Sequence, residues 1–295
     1  MRHTNLICLL AHCGLLIACL LPFSTAHAQW ATVDWTIAET LLAIDAPVSS
    51  VAQQSDYRAW VGEPRIPDHT ADMGLRTQPN MELLAQVSPE QTLISPMFMS
   101  LIPRLEQIAP VSTFALYSQG ADTWQEMLSI TRQLGELTHR EAKAEELIDE
   151  TQSLMAELRG QFSQTSPLLM VQFMDARHVR VFGDNSLYNA VLEQLEVPNA
   201  WDQPTNAWGF SLVGIEALAR YPEATLVIVD PMPAGVEEQL DTSGLWKHLP
   251  SVKHNNMLRL PPVWSFGALP SAQRFARALS AALKNASTER IQASD

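Results

Sequence analysis

One pattern occurs twice, and it constrains the fold more than any other feature of the chain. Met81-Glu82-Leu83-Leu84-Ala85-Gln86 is followed by Pro89-Glu90 and then by Thr92-Leu93-Ile94. More than a hundred residues later, Ile215-Glu216-Ala217-Leu218-Ala219-Arg220 leads to Pro222-Glu223 and then to Thr225-Leu226-Val227-Ile228-Val229. Each copy reads as a short helix, a proline stop and a buried strand, and the copies align with one single-residue gap. A second correspondence supports the first. Residues 31–35 read as a strand ending at Trp35, followed by an apolar-periodic helix through Ile37, Leu41, Leu42 and Ile44. Leu168–Phe173 and then 186–196, with Leu187, Val191, Leu192 and Leu195, read the same way. Repeated strand–helix units predict two similar, doubly wound α/β lobes. The stretch up to Asn80, broken by Pro64, Pro67 and Pro79, reads as rich in loop.

Between the halves, Thr138-His139-Arg140-Glu141 fits a capping box. Ala144, Leu147, Ile148, Thr151, Leu154, Met155, Leu158 and Phe162 then recur at helical spacing, with Glu145, Glu146, Asp149, Glu150 and Glu157 on the other face. The expected helix of about 24 residues is roughly 36 Å long and would serve as a strut. The alternative is one more core helix. The predicted division is a leader at 1–28, an N-terminal lobe at 29–137, the interdomain helix at 138–163, a C-terminal lobe at 164–287 and a tail at 288–295.

The leader has Arg2, an apolar run over 6–23, and Ala26-His27-Ala28 before Gln29. This is the layout of a secretory signal cleaved after Ala28, and it predicts an exported protein. A lipobox, Leu16-Ile17-Ala18-Cys19, and an uncleaved anchor remain as alternatives. Cys8, Cys13 and Cys19 all lie in this segment, so the chain from Gln29 holds neither a disulfide nor a thiolate metal site. A net charge of −13 argues against nucleic acid as a partner and against general adhesion to anionic membranes.

Catalytic motifs are missing. There is no Gly-x-Ser-x-Gly, no Walker loop and no dinucleotide fingerprint, and His69, His139, His178, His248 and His254 form no His-x-x-x-His pair. Asp175-Ala176-Arg177-His178 reads as a turn between strands. Aromatics in polar or turn-rich segments say more: Trp60, Trp208 in Asn206-Ala207-Trp208-Gly209, and Trp264 in Pro261-Pro262-Val263-Trp264-Ser265-Phe266-Gly267. Such a tryptophan offers a broad, rigid apolar face to a ligand, or else ordinary packing. Arg76, just before the helix at Met81, gains nothing from that helix's dipole. It is placed either for a ligand's oxygens or for a surface pair with Asp72.

Several segments together resemble the periplasmic ferric-hydroxamate (ferrichrome-type) siderophore-binding proteins of iron-uptake ABC transporters. They are Tyr57-Arg58-Ala59-Trp60-Val61-Gly62-Glu63-Pro64, the run from Gly74 to Leu84, Arg177-His178-Val179-Arg180-Val181-Phe182-Gly183, Val197-Pro198-Asn199-Ala200-Trp201, Asn206-Ala207-Trp208-Gly209 and Pro262-Val263-Trp264. The resemblance implies a class III periplasmic binding protein of helical-backbone type, with two α/β lobes on one long rigid helix and a shallow cleft that moves little. It implies that Arg76 donates to the hydroxamate oxygens around ferric iron. Trp60, Trp208 and Trp264, with Trp35 at the edge, would form an aromatic wall. Tyr57 joins this ligand-binding set, and Asn206 would act through water. Iron is held by the siderophore, so neither a cofactor nor a protein metal ligand is expected.

There are departures. Phe98 stands where the family has a tyrosine whose hydroxyl reaches the hydroxamate, a loss of about 1 kcal/mol or somewhat more. Phe210 stands where a serine usually follows Trp-Gly, and Phe266 where a tyrosine can occur. By the same resemblance, Glu82 and Glu216 would dock a monomeric protein onto an inner-membrane permease; both also suit an early helical turn. A strongly anionic catecholate complex would need several cations in the cleft. With Arg76 the one obvious cation, a near-neutral hydroxamate fits better than a catecholate, with haem or a corrinoid as further rivals. An exported hydrolase would need a nucleophile–base pair, which the sequence does not offer. A sensory domain would leave the aromatics as packing.

Overall fold

The computed structural model describes residues 29–118, 120–162 and 165–292. The leader, its cysteines and both alternatives for it lie outside them. A first sheet contains β1 (Trp30–Thr32), β2 (Val48–Val51) and β3 (Ala71–Asp72). The ribbon of β4 (Gly74–Leu75) and β5 (Gln78–Pro79) follows, and β6 (Gln91–Ile94) and β7 (Val111–Thr113) complete the sheet. Its order is β3-β2-β1-β6-β7, with every pairing parallel. A second sheet, β10-β9-β8-β11-β12, takes β8 (Leu168–Phe173), β9 (His178–Phe182), β10 (Phe210–Gly214), β11 (Thr225–Val229) and β12 (Met257–Leu260).

The helices are α1 (Trp35–Ala43), α2 (Gln54–Trp60), α3 (Met81–Val87), α4 (Ile102–Leu105), α5 (Thr123–Leu137), α6 (Glu141–Arg159), α7 (Leu187–Gln194), α8 (Val236–Thr242), α9 (Gly244–His248), α10 (Pro250–Lys253) and α11 (Leu269–Gln292). Two 3-10 segments, Pro96–Leu101 and Ile215–Arg220, add to these. None of the described helices is long and apolar enough to cross a membrane.

The repeated pattern folds as the sequence predicts on one side and more tightly on the other. Met81–Val87 is α-helical, capped by the Asn80 side chain on the Leu83 amide; its counterpart is a 3-10 helix. The strands β6 and β11 follow, buried in their sheets as their apolar runs require. The second lobe is not fully doubly wound. Strand β8 pairs parallel with β11 but antiparallel with β9, and β9 pairs antiparallel with β10. Only residues 174–177 separate β8 from β9, too few for a crossover. That turn is closed by Asp175, which accepts from the amides of Arg177 and His178.

Three expectations need correction. The strand at 31–35 stops at Thr32; Asp34 accepts from the Thr36 and Ile37 amides as an N-cap, so Trp35 opens α1. The loop-rich stretch contains β2 and α2, which places Trp60 at a helix end. The strut is also shorter. Thr138 ends α5, its hydroxyl donating to the Leu134 carbonyl, so no capping box forms and α6 spans 19 residues. Helices α5 and α6 form a tight hairpin: a Cβ on Gly135 would stand 2.5 Å from that of Ala144. The 24-residue helix is α11, which takes in 288–292 of the expected tail.

One buried cluster runs through both lobes. It joins Val48, Val51 and Leu93 of the first sheet to Leu168, Met170 and Val227 of the second, through α1, α5, α6 and α11. Separate clusters cover the outer face of each sheet. Lobes that share a core resist independent rotation, because opening them would expose apolar surface.

Candidate ligand-binding cleft

The carboxyl ends of the parallel strands converge on one pocket. Asp34 and Thr36 follow β1, Ser95 follows β6, Phe114, Leu116 and Tyr117 follow β7, and Trp264 and Phe266 follow β12; Arg76 and Trp208 join them, with Ile37, Met97 and Ile130 also in the lining. This is where open α/β sheets place their ligands. The enclosed space is only about 20 Å³, room for a water-sized body.

Arg76 occupies the two-residue turn of the β4–β5 ribbon with Thr77. Its guanidinium lies over Trp35 at 4.2 Å, Phe98 at 4.9 Å and Trp264 at 5.5 Å. Nε donates to the Val33 carbonyl at 3.0 Å. Among the described residues neither terminal nitrogen has a hydrogen-bond or ion-pair partner, so the fork is left facing the pocket. Asp72 does not pair with it; that carboxylate accepts from the amides of Gln53, Gln54 and Gly74. Burial lowers the Arg76 pKa, and the nearby Asp34 opposes the shift. Asp34 is itself occupied, capping α1 and accepting from the Ser95 hydroxyl.

The aromatic wall centres on Phe266. Its ring packs edge-on against Tyr117, Trp208 and Trp264, and tilted against Phe210. The loop carrying Trp264 and Phe266 is pinned by the first lobe. Thr36 donates to the Phe266 carbonyl, Trp264 Nε1 donates to Thr36, and Tyr117 donates to the Gly267 carbonyl. Trp208 rides a turn built by its neighbours. Asn206 Oδ1 accepts from the amides of Trp208 and Phe210, and Asn185 donates to the carbonyls of Asn206 and Ala207. Gly209 closes it at φ +78°, where a Cβ would stand 2.6 Å from the Ser186 Cα.

Not every expected residue lines this surface. Tyr57 is fully buried; its hydroxyl donates to the Pro64 carbonyl and Trp35 stands on its ring, so it supports the wall from behind. Trp35 is buried as well, with Nε1 bound to the Ala52 carbonyl. Phe98 is buried as a platform for Arg76. Trp60 is half-buried against the shared core, away from the pocket lining. Asn206 shapes the loop. Glu82 and Glu216 are exposed, each in the first turn of its helix.

Sequence reasoning missed one cation. Arg180, on β9, lies over Phe210 at 4.9 Å and Phe266 at 5.6 Å. Arg76 is therefore not alone at this wall. The alternation Val179–Arg180–Val181 was its signal, since Val179 and Val181 point to the outer cluster. A roomier depression along α6 is lined by Glu145, Glu146, Asp149, Glu150 and Glu157 with Leu154 and Arg277; it is an open, mainly acidic face with no aromatic side chain in its lining. Among the described residues no three His, Cys, Asp or Glu side chains are grouped to hold a metal ion.

Comparison with known proteins finds relatives over most of the chain. The chain is 32% identical over 268 residues to the iron(3+)-hydroxamate-binding protein FhuD of Escherichia coli (strain K12), covering 88% of this chain and 90% of that protein. Among solved structures it resembles the Fe3+–Desferal-bound siderophore-binding protein FhuD of Vibrio cholerae, with TM-score 0.83 and 25% identity over 88% of this chain and 98% of that one. The triscatecholate siderophore-binding protein FeuA of Bacillus subtilis shares the fold, with TM-score 0.70 and 16% identity over 88% and 93% of the two chains. The family described as periplasmic binding protein matches residues 31–263, and with its two lobes on a shared helical core the chain belongs to that family.

Proposed function

We propose that this protein captures ferric hydroxamate siderophores in the periplasm and delivers them, as a monomer, to an inner-membrane ABC permease. The observation that carries the reading is the Arg76 guanidinium, desolvated on three aromatic rings, its terminal nitrogens without a partner among the described residues. A fork of charged donors beside a broad apolar wall matches a chelate whose metal-bound oxygens form one polar face of a largely apolar body. The iron travels as cargo inside its chelate. Export by cleavage after Ala28 fits this role. The core shared by the lobes supports capture with little closure.

Tryptophan fluorescence tests the ligand class. Protein starting at Gln29 is expected to be quenched saturably by ferrichrome, ferrioxamine or coprogen at micromolar levels or below. Trp208→Ala should weaken binding about tenfold, the scale of a lost aromatic contact in a ligand wall. A folded protein indifferent to every ferric hydroxamate rules the reading out and brings haem, corrinoids and catecholates forward.

Glu82 and Glu216 supply one exposed carboxylate per lobe for docking on permease arginines. The double variant Glu82→Ala/Glu216→Ala should leave siderophore affinity unchanged while cutting uptake of labelled ferric siderophore about tenfold in cells that depend on it. Unchanged uptake removes the docking role.

A further inference from the structure

Arg180 lies half-buried on the inner face of the second sheet, and burial lowers its pKa. Among the described residues its guanidinium makes no hydrogen bond and no ion pair. A cation held partly out of water without a counter-charge costs free energy, and an arriving anion would relieve that cost. Its side chain is fixed all the same, by the faces of Phe210 and Phe266.

Directly across the ladder from Arg180, in register, stands Gln172 of β8. Gln172 is 1% exposed, yet among the described residues neither its amide oxygen nor its amide nitrogen has a partner. Buried amides are seldom left so. Two adjacent side chains on one face therefore hold unused polar capacity. Phe266 joins this corner to the main pocket, touching Arg180 on one side and Trp264, itself beside Arg76, on the other.

We propose that Arg180, backed by Gln172, is a second anchor of the cleft, selecting ferric hydroxamates that carry a pendant carboxylate. This rests on the hydroxamate reading above and names a preference within it. Arg76 would meet the metal-bound oxygens, and Arg180 an anionic substituent at the chelate's periphery. Aromatic rings beneath a guanidinium leave its N–H edge open, so a carboxylate can take it in bidentate fashion.

The ferric complexes of desferrioxamine B, its N-acetyl derivative and its N-succinyl derivative test this. They share one chelate and end in a cation, a neutral amide or a carboxylate. The wild-type protein is expected to bind the succinyl complex about tenfold more tightly than the acetyl one at low salt, with the amine weakest. About 0.5 M salt should narrow the gap. Arg180→Gln should bring the three together, chiefly by losing the succinyl preference, while Arg180→Lys keeps part of it. Equal wild-type affinity for the three, or a preference that survives in a folded Arg180→Gln, overturns the anchor and leaves the hydroxamate reading standing. Failure of the wild type to bind any of them overturns the anchor, and failure to bind ferrichrome and coprogen as well overturns the hydroxamate reading. The wild-type series needs no variant, so it decides even where Arg180→Gln does not fold.

Discussion

Arg76→Ala is expected to raise the dissociation constant for a ferric hydroxamate by at least about 100-fold while leaving the fold in place. Hydrogen bonds from a charged donor contribute about 1.5–3 kcal/mol each, and a guanidinium fork presents two of them at once. Their loss is compounded because the ligand's oxygens would then face apolar rings. The fold should survive because Arg76 sits in a ribbon turn, its side chain bonds among the described residues to the Val33 carbonyl alone, and the rings beneath it are anchored by their own partners. Arg76→Lys separates charge from geometry. Lysine keeps the cation but has neither the flat face that lies on Trp35 nor the fork, so about tenfold weaker binding is expected. Fluorescence or calorimetric titration reads the affinities, and thermal melts read the fold. A folded Arg76→Ala protein within threefold of wild type would remove Arg76 from the ligand contact.

Arg76 was legible in the sequence because its context was odd: a lone cation before a helix N-terminus. Arg180 was not, because its importance comes from strand register. Only the pairing of β9 with β10 sets Arg180 on the side of Phe210, and only the fold brings the residues after β12 up to the same place. The β6 and β11 units and the α7 helix were readable for a simple reason: their apolar spacing matches one period throughout. Helix α5 carried the same signal, with Asp122 as cap and Trp124, Met127, Leu128 and Leu134 buried, but the apparent capping box claimed Thr138, which ends α5, as the start of the next helix. Trp35 was misplaced because an apolar run outweighed the Asp34 cap signal. The inner aromatics Tyr57 and Phe98 could not be told from lining residues, since sequence gives residue type and not depth. The same limit hid a buried carboxylate that ties the lobes together.

That carboxylate is Glu39, and Glu39→Ala should cost about 2–4 kcal/mol of stability. Glu39 is fully buried on α1 and serves the start of α11 more than two hundred residues away, accepting from the Ala268 amide and the Ser271 hydroxyl. Removing it strands both donors and leaves a void where α1 meets α11. Burial pushes its pKa up to about 8 from the ordinary 4.5, against the opposing pull of those hydrogen bonds. A raised carboxyl pKa means that the fold prefers the protonated form. Its stabilising effect is complete below about pH 4.5, where the unfolded chain is protonated too. It is then lost as pH rises towards 8, by up to about 1.4 kcal/mol per unit. Glu39→Gln keeps an acceptor and cannot ionise, so it should flatten that slope and be the more stable protein at pH 8. The quantity to measure is the wild-type minus Glu39→Gln difference in urea-unfolding free energy at pH 5 and pH 8, which cancels groups common to both proteins. A difference that does not change with pH would mean that Glu39 is charged in the fold throughout, held as an anionic cap by the α11 N-terminus, and the alanine variant would then be the costlier for it.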